Sequence, residues 1–298
     1  MAHIREIRKR MVAVRTIQRI TKTMQMIATA KFNAALQRAR ASRPYTDTLR
    51  KLVEEVAVAA GDVEHPLLKS SAKPCGTETV LVVTSDRGLC GAYNGQVLRL
   101  AERKGRELIA AGRKLNVLVA GKKGVAYFKF ARIPVARAFT FGDRPKFEDA
   151  AALADELMQA FAKGETDAVH IVSMRFVSAA KQVPEWITLL PAAPAHAEAH
   201  ADGAHKSSEP KPTTSLEFSP SAQEILTELI PRMVKIQVYQ CFLDAVVSEQ
   251  SMRRIAMKAA TDNATGLGRL LKRNYNRARQ TKITTELTEI VSGASALE

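Results

Sequence analysis

The 298-residue chain is 46% hydrophobic and 25% charged, enough apolar content for a sizeable core, which excludes a disordered polymer. Its net charge is +15, only 5% of residues are aromatic, and three cysteines without CxxC spacing suggest neither a disulfide framework nor a zinc site. Met1 to Arg10 is charged from the start and no long apolar run occurs, so the expectation is an intracellular chain with at most peripheral membrane association.

The first predicted element is a helix over residues 1–60. Ile4, Ile7, Met11, Val14, Ile17, Ile20, Met24 and Ile27 form an apolar seam, with neither proline nor glycine before Pro44. Three consecutive three-residue steps in that seam predict a stammer, which locally overwinds a heptad coil. Residues 1–56 carry 13 Lys and Arg against 4 Asp and Glu, so much of the positive excess sits on this helix. Residues 61–77, with Gly61, Pro66, Pro74 and Gly76, read as a linker.

Residues 78–191 follow a Rossmann-like α/β pattern, in which strands alternate with helices around a largely parallel sheet. ETVLVVTS (78–85), LNVLVAG (115–121), VARAFTF (135–141), AVHIVSMRFV (168–177) and Trp186 to Leu190 read as extended segments. Helices are expected from Asn94 to Ala111, Lys123 to Phe130 and Phe147 to Ala162. The loop SDRGLCGAYN (85–94) lies beyond the first strand, where open parallel sheets hold ligands. Its glycines do not make GxGxxG, and GxxxxGK[ST] is absent, so a nucleotide site is not supported. Cys90 as a nucleophile would need a base, and the sheet offers only His170. No spacing places the two together, and they read as a buried thiol and a structural histidine.

Residues 192–219 form a connector with little that could build a core. His196, His200 and His205 lie there in an alanine-rich tract that reads as a flexible loop rather than a metal site. Residues 220–298 then form a second long helix. Pro220 is expected to open it and Pro231 to kink it, with Gly266 and Gly268 as its softest turn.

Leu226, Leu229, Met233, Ile236, Leu243, Val247, Met257, Ala264, Leu271 and Ala278 fall on one heptad ladder of this last helix. Gln240, Gln250, Arg254, Thr261, Gly268 and Tyr275 fill its other rungs. From residue 232 to 290 such a helix would span roughly 90 Å. Each terminal helix has a narrow stripe to bury, so the two are expected to pair as an antiparallel coiled coil, with the last outrunning the first. From Met252 to Lys282 nine basic residues face only Asp262, too few carboxylates for ordinary pairing along a helix. Two basic rods imply an acidic partner: nucleic acid, anionic lipid or acidic protein loops.

Several segments together resemble the gamma subunit of the rotary F-type ATP synthase. They are MKAATDNATG (257–266) and YNRARQTKITTELTEIVSGA (275–294), IREIRKRM (4–11), ITKTMQMIATAKF (20–32), SRPY (42–45) and SDRGLCGAYN. The resemblance covers nearly the whole chain in the family's order, although the 192–215 stretch is longer and richer in Ala and His than the family pattern.

The resemblance implies a central stalk. Its paired terminal helices would turn inside a hexamer of alpha and beta subunits, with the α/β domain near the epsilon subunit and the c-subunit ring. It implies a beta-subunit interface at Met24, Arg253, Arg279, Gln280, Thr284 and Glu286, and an apolar shaft tip at Ile283, Leu287, Ile290 and Val291. It further implies a lower-domain docking loop at Asp86, Arg87, Gly88 and Cys90. No catalytic group, cofactor or metal is implied for the chain itself, which would couple proton-driven rotation to catalysis in the beta subunits at the cytoplasmic face of a bacterial inner membrane. The rival reading from another class is a basic coiled-coil nucleic-acid-binding protein, although stacking aromatics are sparse and no helix-turn-helix or zinc pattern occurs.

Overall fold

A computed structural model describes residues 2–60, 65–68, 74–192 and 222–295. His196, His200, His205 and Pro220 lie outside the described residues, as do most of the 61–77 and 192–219 segments. Ten elements follow in order. They are α1 (Ala2–Ala60), β1 (Thr77–Val83), α2 (Tyr93–Ala110), β2 (Lys114–Ala120), α3 (Lys122–Phe130), β3 (Arg137–Phe139), α4 (Phe147–Ala162), β4 (Ala168–Phe176), β5 (Gln182–Leu190) and α5 (Ala222–Ser295). They divide into two compact units, Lys31–Gln250 and Met1–Ala30 with Ser251–Glu298.

In the larger unit, the sheet has the order β3-β2-β1-β4-β5. β1, β2, β3 and β4 run parallel, and β5 returns antiparallel to β4. β5 begins at Gln182, four residues before the expected Trp186. Pro184 hides that start, since proline marks an edge rather than a central strand, and β5 is an edge strand. β3, the opposite edge, keeps only three of the seven residues expected for it.

The β1 and β2 ends come very close together. Thr84 donates its hydroxyl to the Ala120 carbonyl at 2.8 Å and accepts from the Gly124 amide at 2.9 Å. Gly121 sits between them at φ +101, where an added Cβ would lie 2.2 Å from the Thr84 carbonyl oxygen. Only glycine fits that turn.

One core joins the sheet, α4 and both long helices. Leu49-side residues Val53 and Val56 of α1 meet Leu81, Leu153, Phe161, Ile171 and Leu190, together with Leu226, Ile230, Val234, Val238 and Phe242 of α5. Each such fully buried side chain contributes about 1.5–3 kcal/mol. A second cluster packs Phe32, Ala35 and Ala39 of α1 against Phe176, Leu243 and Val247, with the Phe32 and Phe176 rings edge-on at 5.9 Å. The first third of α5 is therefore buried on more sides than a coiled-coil seam, because it also serves as a helix of the α/β core. The helix runs through Pro231 without interruption.

The smaller unit is a two-helix antiparallel coil. The stammer expected in α1 does not form. Ile17, Ile20 and Ile27 are 52%, 51% and 51% exposed, whereas Gln18, Thr21 and Ala28 turn inward. Ile4, Ile7, Met11, Val14, Gln18 and Thr21 thus continue an unbroken alternation of three and four. Polar side chains occupy two inward positions because they find partners there: Thr21 and Thr261 share a hydrogen bond of 2.8 Å, and Gln18 Nε2 donates to Thr265 Oγ1 at 2.8 Å. On α5 the matching seam is Met257, Thr261, Ala264, Gly268, Leu271, Tyr275 and Ala278, as its heptad ladder predicts. Gly268 lies beside Val14.

Candidate functional site

Two regions hold the expected site residues, and each is set by its own local chemistry. In the coil, residue 21 opposes 261 and residue 18 opposes 265, so the first helix runs out opposite about residue 282. From Ile283 to Ser292 every side chain of α5 is exposed. Ile283, Leu287, Ile290 and Val291 thus form an exposed apolar stripe on the stretch of α5 beyond the end of α1, spaced to share one face.

Just before it, Arg279 and Gln280 are exposed. Thr284 is exposed and returns its hydroxyl to the Gln280 carbonyl at 3.1 Å, and Glu286 pairs with Lys282 at 3.1 Å. Met24 is half-buried. Arg253 differs from the other polar positions, since it is only 8% exposed and is packed rather than displayed. Lys258, Arg269, Lys272, Arg273 and Arg277 are exposed along the same helix, so its outer surface is cationic. Ile17, Ile20, Met26, Leu267 and Leu270 add apolar side chains to the coil surface, a consequence of the seam choosing polar neighbours instead.

The second region is the β1–α2 loop. Ser85 donates its amide to Asn94 Oδ1 at 3.0 Å and its hydroxyl to the Arg87 carbonyl at 2.8 Å. Asn94 Nδ2 in turn reaches Ser85 Oγ at 2.8 Å and Cys90 Sγ at 3.2 Å. Asp86 accepts the Lys122 amide at 3.1 Å, which ties the loop to the start of α3. Leu89 holds a left-handed backbone at φ +63 while its side chain stays exposed. Asp86 and Gly88 are therefore half-buried, Arg87 exposed and Cys90 buried, in a loop rigidly folded on its own polar groups.

A cavity of about 160 Å³ lies beside this loop, lined by Thr84, Asp86, Tyr93, Asp143, Phe242 and Glu249 among others. The structure does not bring Cys90 and His170 together. His170 lies in β4 and bonds Glu78, at the beginning of β1, at 3.1 Å and Thr188 at 3.2 Å, while Cys90 follows the end of β1. Burial holds the His170 imidazole below its usual range against the opposing pull of Glu78. Among the described residues no group of His, Cys, Asp and Glu could hold a metal ion, and no helix is long and apolar enough to cross a membrane.

This combination of a basic antiparallel coil, an overhanging helix and an inserted α/β unit has close counterparts. The ATP synthase family model matches residues 3–297. The ATP synthase gamma chain of Rhodopirellula baltica is 40% identical over 299 residues, covering all of both chains. The chain belongs to the ATP synthase gamma chain family. Gamma chains of Gemmatimonas aurantiaca and Leptospira biflexa are 39% and 38% identical, again over the full length of each. The same fold occurs in the rotor of the Euglena gracilis mitochondrial ATP synthase, with a TM-score of 0.64 and 21% identity over 95% of this chain and 99% of that one. A second Euglena gracilis structure, of the OSCP/F1/c-ring assembly, matches at a TM-score of 0.66 and 20% identity over 99% of this chain and 95% of that one.

Sequence reasoning did not single out Gln18 and Thr265, which bond across the coil, or Asp143, which bonds Lys31 and Gln250 within the larger unit. The first two carried a signal in the unbroken heptad count, had polar residues been allowed on it. Asp143 carried none, since its partners lie more than a hundred residues away.

Proposed function

We propose that this chain is the central rotating stalk of an F-type ATP synthase, a non-catalytic subunit that couples turning of a membrane c ring to the nucleotide sites of an alpha and beta hexamer. The observation that carries this reading is the coil itself. It has a continuous but partly polar seam, a cationic exterior, and a last helix that outruns the first with an exposed apolar end. A shaft inside a sleeve needs stiffness along its axis and weak, position-dependent attraction across its surface. Dispersed cations meeting acidic loops supply the attraction without locking one rotational state.

Because the two helices present different side chains around the coil, each beta subunit meets a different face in turn. A difference of only about 1.4 kcal/mol between faces shifts nucleotide affinity tenfold. In this reading Met24, Arg279, Gln280, Thr284 and Glu286 meet the beta subunits, Arg253 joins them only through the small part of it left exposed, and Ile283, Leu287, Ile290 and Val291 seat in the sleeve. The loop of Asp86, Arg87, Gly88 and Cys90 serves docking rather than chemistry, with the epsilon subunit and c ring as the α/β domain's other neighbours. Residues 1–60 and 220–298 then act as the shaft and 78–191 as its bearing, on the cytoplasmic face of a bacterial inner membrane. Family membership across residues 3–297 displaces the nucleic-acid reading, which no separate observation favours.

Affinity purification of the tagged chain from its host tests the proposal. Recovery of two large nucleotide-binding subunits, each in threefold excess over this chain and resistant to salt, is expected. Recovery of the chain with nucleic acid alone, released steeply by salt, would overturn it.

A further inference from the structure

One turn of the α/β unit is held by both long helices at once. Asp143 follows Gly142, whose φ of +63 swings the turn after β3 outward. Lys31 Nζ of α1 donates to Asp143 Oδ2 at 2.5 Å, and Gln250 Nε2 of α5 donates to Asp143 Oδ1 at 3.3 Å. Arg38, two turns further along the same face of α1, donates Nη2 to the Asp143 carbonyl at 3.4 Å. A single residue therefore fixes one level of α1 and α5 to the sheet.

The local chemistry is costly enough to ask what it serves. Gln250 is 1% exposed in the middle of a helix, its Oε1 has no hydrogen-bond partner, and Arg38 Nε is likewise buried without one. An apolar residue at 250 would avoid that desolvation cost. The Lys31 and Asp143 side chains are 37% and 39% exposed, so their ion pair alone contributes little to stability. Together the three bonds resist sliding or rotation of either helix against the turn, where apolar packing alone would let it slip.

We propose that Asp143 is a torque clamp, a positioning residue that passes twist between the α/β domain and both helices of the shaft. The proposal rests on the stalk reading. Loosening the clamp softens the rotor in torsion without altering the catalytic sites, which lie on other subunits.

The test uses the assembled complex, with a bead attached through the exposed thiol of Cys75, while the buried Cys90 and Cys241 remain unlabelled. Angular variance of the bead during a catalytic pause reports torsional compliance. Lys31→Ala is expected to raise the variance about twofold, and Asp143→Ala, which also loses the Gln250 bond, at least as much, both at unchanged ATP hydrolysis rate. The double variant should match Asp143→Ala, because loss of the Asp143 carboxylate already removes the Lys31 bond. The swap Lys31→Asp with Asp143→Lys should restore the wild-type variance, since the Gln250 amide can turn its unpartnered Oε1 toward the new cation. Unchanged variance in Lys31→Ala, or additive loosening in the double variant, would overturn the clamp. Failure of Asp143→Ala to assemble leaves Lys31→Ala and the swap to decide. Failure of the wild-type chain to assemble or rotate would instead count against the stalk reading itself.

Discussion

The hydroxyls of Thr21 and Thr261 meet 2.8 Å apart across the antiparallel coil, at inward positions where heptad coils ordinarily place apolar side chains. Each hydroxyl also has an acceptor on its own helix: Thr21 donates to the Gln18 carbonyl at 3.1 Å, and the single Thr261 proton can turn from Thr21 to the Met257 carbonyl, 2.8 Å away. Neither is left stranded if the other is removed. Thr21→Val and Thr261→Val should therefore each lie within about 0.5 kcal/mol of wild type, whereas the double variant, with matching shapes and no hydroxyls, should stabilise the chain by about 1 kcal/mol. Denaturant unfolding of all four proteins measures this. A double variant less stable than either single would show that the seam depends on its polar contact.

The way these threonines enter the seam also explains what was legible in the sequence. Helix and strand positions in the α/β unit were readable because buried parallel strands are nearly continuous Val, Leu and Ile, and because turn residues punctuate them. The pairing of the terminal helices was readable from their complementary narrow stripes. The inward face of α1 was not: Ile17, Ile20 and Ile27 are more apolar than Gln18, Thr21 and Ala28, yet an unbroken heptad with satisfied polar partners outweighs the area those isoleucines would bury. The double role of α5 was hidden as well, since Ile230, Val234 and Val238 interleave with the heptad ladder and look like mere excess hydrophobicity until a sheet lies against them. At the shaft surface, exposure of Arg279 and Gln280 follows from the seam, but the burial of Arg253 depends on tertiary packing that no local pattern reports.

Two glycines should respond oppositely to the same substitution. At Gly121 an added methyl would lie 2.2 Å from the Thr84 carbonyl oxygen, with φ at +101, so Gly121→Ala should cost about 3 kcal/mol or more. At Gly266, inside α5, nothing lies within 4 Å of the added methyl, and Gly266→Ala should stabilise by about 0.5–1 kcal/mol through helix propensity. Thermal melts of both variants give the comparison. Equal melting temperatures would mean the close approach of the β1 and β2 ends is absent in solution.

Asp244 gives the fold a pH dependence of known sign. Burial pushes its carboxyl up to about 6, opposed by the positive charge of Arg43. The folded state therefore holds this proton more tightly than the unfolded chain, whose aspartate titrates near 3.8. The resulting stability is fully present below that lower value and is lost as pH rises through about 6. Asp244→Asn removes the buried charge while Gln240 Nε2, which donates to Asp244 Oδ1 at 3.2 Å, keeps an acceptor. The variant should be more stable than wild type by about 1–2 kcal/mol at pH 8, and the two should converge near pH 4. Urea unfolding across that range decides it, and a constant offset at all pH values would remove the titration as the cause.

The β1–α2 loop should not bind nucleotide. Its Ser85, Cys90 and Asn94 groups are engaged with one another, and the Asp86 carboxylate beside the strand ends would repel a phosphate. Equilibrium dialysis of the full chain with ATP and magnesium should show no micromolar binding; a saturable site in that range would require a different role for the loop.

The final prediction ranks the two parts of the exposed end of α5. Arg279 and Gln280 stand free of the coil seam in a strongly cationic stretch, so they can donate to beta-subunit carboxylates in the one rotational position that presents them. Charge-assisted hydrogen bonds of that kind contribute on the order of 1.5–3 kcal/mol each, and removing them changes the relative energies of rotational states. Truncation after Gly293 removes only the five residues that follow the apolar stripe in sequence, at a chain end of the kind that tolerates change. Arg279→Ala with Gln280→Ala should therefore lower steady-state ATP hydrolysis of the assembled complex several-fold, while truncation after Gly293 should leave it nearly intact. The apolar stripe from Ile283 to Val291 remains whole in both proteins, so the comparison isolates the polar pair from the seat. If the truncated complex is the slower one, torque is borne by the extreme end of the helix and the polar pair is ordinary shaft surface.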